Sequence, residues 1–366
     1  MARGQADISV REIAAMLNER AATLAPRLLP HGRRAGGFWE TSSIDDVKTG
    51  KYSLKVNVGR GRIGLWTDFG ADQGSADYSG DMLSLVALRE YGGDLGKAIA
   101  WAKSFLGLDD ADPARIERVR REAREADAKA DAAAEAEKAK MRSRAYALWR
   151  GAIGLHRTPA EAYLRGRGID FAQLGRVPGA LRYRPDVWCR ERGGKFPAMV
   201  ACIMALDGSL MGVHRTYLDI SGWDHAARQG VVTKAAVADA KLSMGYYQGG
   251  CIPLWKGACR KTLREIDAGT PIYISEGIED GLSVAMAKPD ARIVAGVALA
   301  NIGGLVVPEQ AGPVVLIGQN DPLNSKAVNA LERAVARQQE AGRKVQLMFP
   351  PDGYKDFNDL LMGKRK

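Results

Sequence analysis

The chain has 366 residues, of which 46% are hydrophobic and 26% charged, and its formal net charge is +10. This length predicts two or three domains that can bury a core without disulfide or metal staples. The longest apolar runs fall far short of the ~20 residues of a membrane helix, and the N-terminus lacks the apolar stretch of a secretory signal. Membrane, collagen-like, disulfide-scaffold and fully disordered classes are excluded, and a cytoplasmic location is expected.

Cysteine spacing gives little support to a zinc site. The four cysteines are Cys189, Cys202, Cys251 and Cys259, and no two of them form a C-x-x-C pair. Zinc sites built from cysteine usually contain such pairs. We therefore expect reduced thiols and no bound zinc.

The positive charge is concentrated in one part of the chain. Net charges are +2 for residues 1–108, +1 for 109–150, +8 for 151–265 and −1 for 266–366. A basic block of this kind favours a track for a polyanion, although a basic surface without a partner stays an alternative. We take these four ranges as the predicted domain division, with 109–150 as a linker.

The N-terminal part predicts a small mixed domain. Residues 53–58 and 62–70 are typical of short strands, and residues 80–92 and 96–108 of amphipathic helices. We expect them to share a core formed by Leu54, Val56, Leu65, Trp66, Leu83, Val86, Ile99 and Trp101.

Residues 113–142 are mostly alanine and charged residues, which predicts a solvated helix in the linker. Farther along, apolar stretches on either side of Asp207-Gly208 predict a β-hairpin in the basic block.

From residue 270 the pattern changes to strands alternating with helices. Such alternation predicts a parallel, Rossmann-like sheet with helices on both faces, whose chemistry lies at the carboxyl ends of the strands. The predicted strands are 271–275, 291–298, 313–318 and 344–350, with helices at 278–287 and 325–341.

Acidic residues follow three of these strands. Glu276 and Asp280 lie in SEGIEDG, Asp321 in GQNDPLN, and Asp356 and Asp359 in KDFNDLL. Each carboxylate alone is more typical of a helix cap or a solvated turn. Together they predict an acidic cup for Mg²⁺ or Mn²⁺, since these ions prefer oxygen ligands and act on phosphoryl groups.

The basic block supplies candidate contacts to nucleic acid. Arginine suits bidentate binding of phosphate, and such contacts are largely independent of sequence. For aromatic residues in the block, base stacking competes with ordinary core packing. The candidate contacts are Arg165, Arg167, Arg182, Arg184, Arg215 and Lys241, and the aromatic candidates are Tyr163, Trp188 and Trp223.

Residues 270–362 resemble a Toprim domain, the metal-binding fold shared by bacterial-type primases, topoisomerases and related nucleases. Glu276 matches the family's first-strand glutamate, GQND its D-x-D strand end, and KDFND its last acidic motif. Upstream, AEAYLRGRGID, LRYRP, GVHRTYLD and Lys241 are similar to the basic half of a bacterial-type primase core. Residues 38–108 resemble a primase zinc-binding module in outline. The nearest resemblance is to Toprim proteins of phages, plasmids and integrated elements.

Two departures from the family pattern matter. The segment 38–108 contains no cysteine, so it lacks the family's zinc ligands, and His31 is expected to be an isolated surface histidine. In addition, Gln319 stands where the family has the first Asp of D-x-D. An amide oxygen binds Mg²⁺ more weakly than a carboxylate does.

The resemblance implies a primase that binds single-stranded DNA or a template–primer and joins nucleoside triphosphates with Mg²⁺ or Mn²⁺. It implies Glu276, Asp321 and Asp356 as metal ligands, with Asp280 and Asp359 completing the catalytic set. Because the chain has no G-x-x-x-x-G-K-[ST] motif, any replicative helicase would be a separate partner. A metal-dependent nickase or nuclease, and a catalytically weakened DNA-binding module, remain alternatives.

The charge distribution makes a first prediction about DNA binding. Affinity for single-stranded DNA should fall steeply with salt, because each phosphate contact releases condensed counterions. Each contact contributes roughly −0.7 to the slope of log K against log salt concentration. Five contacts would give a slope of about −3.5. Fluorescence anisotropy across a salt series measures this slope, and an affinity independent of salt would contradict the prediction.

Overall fold

The computed structural model describes residues 8–59, 61–71, 78–108, 113–321 and 325–365. It forms two compact units, residues 1–137 and 138–366. The start of the predicted linker (109–112) and the end of the GQNDPLN motif (322–324) lie outside the described residues. Within those residues, no helix has both the length and the apolar character needed to cross a membrane. The finer division into four parts stays a prediction.

The first unit combines helices with one antiparallel sheet in the strand order β1-β2-β3-β4-β5. Helix α3 begins after Asp81, whose side chain caps the helix by accepting the backbone N–H of Ser84. The elements in chain order are α1 (Val10–Glu19), α2 (Ala21–Leu28), β1 (Arg33–Ala35), β2 (Phe38–Thr41), β3 (Leu54–Asn57), β4 (Trp66–Asp68), β5 (Ser79–Gly80), α3 (Met82–Tyr91) and α4 (Leu95–Phe105).

The core of this unit contains most of the side chains expected there. The residues buried as expected are Leu54, Val56, Trp66, Leu83 and Val86. Ile99 and Trp101 are only half-buried against this core. Leu65 is instead 37% exposed. The reason is strand alternation: Trp66 and Asp68 face inward in β4, so the residue before Trp66 faces the other way.

Helix α5 (Pro113–Arg150) includes the predicted solvated helix and continues beyond residue 142. Its last turns differ in composition from the rest, since Ala145 is fully buried and Trp149 packs against apolar neighbours. This contact explains the extension, because packing stabilises a helix more than propensity alone does.

The second unit contains an antiparallel sheet in the order β10-β9-β8-β7-β6, in which β11 also pairs with β9. Its elements are β6 (Ile153–Gly154), α6 (Pro159–Gly166), α7 (Phe171–Leu174), β7 (Leu181–Cys189), β8 (Gly194–Met204), β9 (Leu210–Asp224), β10 (Gln229–Lys234) and β11 (Lys241–Gly245).

The predicted hairpin in the basic block is confirmed. Strands β8 and β9 pair antiparallel, and Ala198 lies opposite Tyr217. The turn between them places Gly208 at φ +86°, a left-handed conformation that glycine adopts without a Cβ penalty.

The remaining elements build the second sheet of this unit, in the order β12-β14-β13-β15-β16. The four predicted strands are present, and β13 is parallel to both β14 and β15. The elements are β12 (Ile252–Trp255), β13 (Ile272–Ser275), α8 (Ile278–Ala287), β14 (Arg292–Ala295), α9 (Leu299–Ile302), β15 (Val314–Ile317), α10 (Ser325–Glu340), β16 (Val345–Met348) and α11 (Phe357–Leu361).

One strand of this sheet was not expected. Strand β12 comes from the end of the basic block and pairs antiparallel with β14, so that β12 forms one edge of the sheet. One buried cluster therefore contains Leu181 and Ile203 of the antiparallel sheet of this unit together with Ile252, Ile278 and Ile293 in and beside the sheet that includes β12. The two sheets share a core, which fixes the basic block against the parallel sheet.

The core of the first unit leads to a prediction about metal. A fragment of residues 1–108 should fold without zinc, because its buried side chains each contribute about 1.5–3 kcal/mol before entropy costs. Thermal unfolding followed by circular dichroism should be the same with and without a chelator. Stoichiometric zinc in the purified fragment, or a lower unfolding temperature with chelator, would contradict this expectation.

Candidate functional site

Two neighbouring strands deliver polar residues to one edge of the parallel sheet. Glu276 directly follows β13, and Gln319 and Asp321 follow β15. The strands are parallel and in register, with Ile274 opposite Leu316, so their carboxyl ends meet. As a result, Glu276 and Gln319 line the same two cavities.

The first cavity, which we call the Lys241 cavity, has a volume of about 510 Å³. The basic block contributes Lys241, His214 and Ser243 to its wall, and the parallel sheet contributes Glu276 and Gln319. The pairing of β11 with β9 holds the first three together, because Ser243 lies opposite His214. The cavity therefore combines a cation of the basic block with the strand ends of the sheet.

The second cavity, the Asp321 cavity, has a volume of about 530 Å³. Asp321 lies in its wall with Glu276 and Gln319, while apolar residues such as Leu331 of α10 and Phe349 after β16 form other parts. Two carboxylates and one amide oxygen therefore lie around the same space.

Burial shifts the pKa values of two groups in the Lys241 cavity. Burial raises the pKa of Glu276 above its usual range, while a hydrogen bond from the Leu299 backbone and the charge of Lys241 act in the opposite direction. Burial, together with the charge of Lys241, lowers the pKa of His214 to about 4. His214 is therefore neutral near pH 7, and its Nδ1 lies 3.2 Å from Ser243 Oγ.

The other three predicted catalytic carboxylates lie at the start of α11 and beside it on α8. Asp356 caps α11 by accepting the backbone N–H of Asp359. Asp280 is buried, and its Oδ1 accepts the backbone N–H of Phe357 at 2.8 Å. Its Oδ2 has no hydrogen-bond partner among the described residues. Burial and the nearby Asp356 raise the pKa of Asp280 to about 7.

The expected acidic cup does not form as a single cluster. In the described residues, no group of three or more His, Cys, Asp or Glu side chains is arranged to hold a metal ion. Glu276 and Asp321 line one cavity, but neither cavity has Asp356 in its wall. The reason is local: the side chain of Asp356 caps α11, and its charge acts on Asp280. The ligand roles of Glu276, Asp321 and Asp356 stay predictions.

The candidate nucleic-acid contacts differ in their surroundings. Arg165 is exposed, whereas Arg167 is half-buried and its Nε has no hydrogen-bond partner among the described residues. Arg182 lies over the Trp149 ring at 4.2 Å, and Arg184 pairs with Asp186 at 2.8 Å.

The two contacts suggested by the family resemblance are also engaged within the fold. Arg215 Nη1 donates to the Tyr217 hydroxyl at 3.3 Å. Lys241 Nζ lies 2.8 Å from a carboxylate oxygen of Glu279. Of the two, only Lys241 is in the wall of the cavity that also contains Glu276.

The aromatic candidates and His31 separate by exposure. Tyr163 is buried and Trp223 packs against the shared core, whereas Trp188 is 59% exposed. His31 is a surface residue, as expected, but it is not isolated. Its backbone N–H and imidazole Nδ1 both contact the buried carboxylate of Asp46.

The residues predicted from the sequence do not include Glu279, although it lies within SEGIEDG. Its side chain is buried and bonds to both Lys241 and Tyr163. The available signal was its position in the first turn of α8, three residues after Glu276. That spacing alone does not reveal a buried ion pair with a strand 38 residues upstream.

Comparison with known families identifies the C-terminal part. The family model for the Toprim domain matches residues 271–366. These residues are a Toprim domain. The resemblance expected over 270–362 is thereby confirmed. Residues 139–254, upstream of the Toprim domain, match a family described as a domain of unknown function, DUF7146. No curated protein matches the chain in sequence.

Several solved primase structures are similar to this protein. The Aquifex aeolicus primase (zinc-binding and RNA polymerase domains) is 14% identical with a TM-score of 0.40, covering 96% of this chain and 82% of that one. The DnaG primase catalytic domain bound to ssDNA is 16% identical with a TM-score of 0.41, covering 63% and 76%. The primase fragment of the bacteriophage T7 primase-helicase protein is 17% identical with a TM-score of 0.32, covering 56% and 70%.

Asp280 yields a prediction about stability and pH in the Toprim domain. Its pKa of about 7 in the folded state exceeds the ~3.9 of an exposed aspartate, so folding favours the protonated form. The resulting stability is complete below about pH 4 and is lost as the pH rises through about 7. Asp280→Asn, which cannot ionise, should therefore raise the free energy of unfolding at pH 8 by about 2–4 kcal/mol, and by less at pH 5.

Urea unfolding at the two pH values, with chelator present, measures this difference. Asp352→Asn, at an exposed position before α11, is the matched control and should show the same stability as the unaltered protein at both values. An equal effect of Asp280→Asn at pH 5 and pH 8 would contradict the expectation.

Proposed function

We propose that this protein is a primase-like Toprim protein that binds DNA and carries out Mg²⁺-dependent nucleotidyl transfer, making primers in the replication of mobile-element DNA. The observation that carries the proposal is the Lys241 cavity. It brings a cation of the +8 block to the strand ends that carry Glu276 and Gln319. A site that joins nucleotides on a template needs both cationic contacts for phosphate and oxygen donors for a metal.

The donors around the Asp321 cavity fit Mg²⁺ when substrate phosphates complete its coordination. Glu276 and Asp321 would hold the ion, with Gln319 as a neutral oxygen donor. Mg²⁺ in phosphoryl-transfer sites is commonly bound by one or two carboxylates together with substrate phosphates and water. When bound, the ion would polarise a phosphoryl oxygen and offset the charge of the triphosphate.

The protein's own side chains would bind and orient the substrates. Lys241 and Arg215 would contact the backbone of the template–primer, and Arg165, Arg167 and Arg182 would extend this track. His214, neutral near pH 7, would add a hydrogen-bonding group without adding charge. Asp356 and Asp359 at the start of α11, with Asp280 beside them, would orient the incoming triphosphate or a water molecule.

The proposed partners are single-stranded DNA or a template–primer, nucleoside triphosphates and a separate replicative helicase. A metal-dependent nickase or nuclease would use the same donors, since it also acts on a phosphodiester. A catalytically weakened DNA-binding module is favoured by Gln319, which removes one negative charge from the expected metal site.

One experiment separates these three functions. The protein is incubated with single-stranded DNA, Mg²⁺ or Mn²⁺ and labelled nucleotides, and the products are resolved on a denaturing gel. New extension products support the primase and shortened DNA supports the nuclease. Binding with neither product supports the DNA-binding module. Glu276→Gln serves as the control and should abolish either reaction.

Gln319 leads to a prediction about metal affinity. Gln319→Asp should tighten Mg²⁺ binding, because it adds a negative charge close to the ion. Repulsion from Glu276 and Asp321 offsets part of this gain, so we expect about a tenfold increase in affinity, close to 1.4 kcal/mol. Calorimetric titration measures the affinity, and combining the change with Glu276→Gln should remove the gain.

A matched control for this substitution is Gln339→Glu, which adds the same charge to the α10 side of the Asp321 cavity. We expect a smaller effect there. If Mg²⁺ binding is undetectable in the unaltered protein and in every variant, the enzymatic proposal is withdrawn and DNA binding remains.

A further inference from the structure

Glu279 is a buried carboxylate with two polar partners in the described residues. Its Oε1 accepts a hydrogen bond from the Tyr163 hydroxyl at 2.7 Å, and its Oε2 lies 2.8 Å from Lys241 Nζ. Only 6% of Glu279 and 5% of Tyr163 are exposed, whereas 40% of the Lys241 side chain is. The carboxylate is therefore fixed inside the fold, and the ammonium lies at the boundary with solvent.

Glu279 is ionised in this arrangement. Burial by itself acts to raise the pKa of Glu279, but the charge and hydrogen bond of Lys241 and the hydrogen bond of Tyr163 lower it to about 2. Burial and the neighbouring Glu279 also raise the pKa of Tyr163, so the phenol keeps its proton and donates. A buried charge is tolerated only when it is paired and hydrogen-bonded, and both conditions hold here.

The three residues belong to three different elements. Tyr163 lies on α6, Lys241 begins β11, and Glu279 lies in the first turn of α8. The backbone of Glu279 is also tied to its helix, because its carbonyl accepts the Ser283 hydroxyl at 2.8 Å. The ion pair therefore links the DUF7146 region to the Toprim domain at the cavity that both regions line.

The contact restrains a side chain that is otherwise flexible. A lysine side chain has four rotatable bonds and loses rotamer freedom when its end is fixed. Glu279 takes one of the three ammonium donors of Lys241, which leaves donor capacity for a phosphate oxygen. The charge of Lys241 acts on Glu276 and His214, two other titratable groups in the wall of the Lys241 cavity.

We propose that Glu279, supported by Tyr163, is a positioning residue that holds the Lys241 ammonium in the Lys241 cavity, oriented for contact with a substrate phosphate. The identity of the phosphate rests on the proposed function, but the restraint of Lys241 does not. The three residues thus do more than link two helices and a strand, because they fix the position of the Lys241 ammonium in the cavity.

If Glu279 positions Lys241, replacing Glu279 by Gln should affect substrate affinity and turnover differently. Glu279→Gln keeps the shape and can still accept from Tyr163, but it removes the negative charge beside Lys241. Affinity for an anionic substrate should then stay the same or increase, because the cation loses its counter-charge. Turnover should fall at least about tenfold, since a misplaced contact lowers the rate of the chemical step.

The first measurement requires no activity. In protein labelled with ¹⁵N-lysine, the Nζ signal of Lys241, assigned with Lys241→Arg, should be sharp because its ammonium is paired with a buried carboxylate. Glu279→Gln should broaden or abolish that signal. Asp267→Asn, which breaks the Lys261–Asp267 ion pair elsewhere in the same unit, should leave the Lys241 signal unchanged. An unaltered Lys241 signal in Glu279→Gln would overturn the proposal.

The second measurement compares binding and turnover, with ATP and Mg²⁺ as the binding probe and primer synthesis as the reaction. Glu279→Gln should lower kcat and leave the Kd for ATP unchanged or lower, and Asp267→Asn should change neither. Equal losses in binding and turnover, or no loss in turnover, would overturn positioning.

Tyr163→Phe covers the case in which Glu279→Gln does not fold. It removes one of the two partners of Glu279 and keeps the ion pair, so it should broaden the Lys241 signal partially and reduce turnover by about threefold. A sharp, unchanged Lys241 signal in this variant would overturn the role of Tyr163. If the unaltered protein makes no primers, the proposed function fails, while the Nζ signal still decides whether Glu279 restrains Lys241.

Discussion

The shared core between the two sheets of residues 138–366 is the constraint on which the candidate site depends. Strand β12 pairs antiparallel with β14, and its Ile252 and Leu254 lie in the same buried cluster as Ile278 of α8 and Leu181 of β7. Leu218 of β9 belongs to this cluster, and β11 pairs with β9. Because close-packed interiors deform little, the core therefore fixes β11, through β9, relative to the carboxyl ends of β13 and β15. Lys241 and Glu276 consequently line the same cavity although they are far apart in the sequence.

The first turn of α8 shows how neighbouring residues acquire opposite electrostatic properties. Glu279 and Asp280 are adjacent and both buried, yet the pKa of Glu279 is lowered to about 2 and that of Asp280 is raised to about 7. Glu279 faces a cation and a phenolic donor, whereas the charge of Asp356 acts on Asp280. Helical geometry explains the difference, since consecutive side chains point about 100° apart and meet different elements.

The tight seating of α8 makes this separation possible. A Cβ added at Gly281 would clash with Ser275 Oγ and with the Leu254 side chain, so α8 lies directly against β13 and β12. The helix is thereby held at a distance that a larger residue would not allow. As a consequence, Glu276, two residues before the helix, lines the Lys241 cavity, and Glu279, within the first turn, reaches Lys241.

The alternation of apolar strands and helices from residue 270 predicts the parallel sheet because it is a local pattern, and the resemblance of SEGIEDG, GQND and KDFND to family motifs supplied the Toprim assignment. The sequence also determined the hairpin at Gly208 and most of the N-terminal core, because both follow from residue periodicity and turn chemistry. Three features follow only from tertiary packing. Strand β12 joins the parallel sheet, Asp356 lies near Asp280 instead of in the cavity wall with Glu276, and Glu279 binds Lys241. Those outcomes depend on contacts between residues 38 to 76 positions apart in the chain, and no periodicity within a strand or helix encodes which distant partner a buried charge will find.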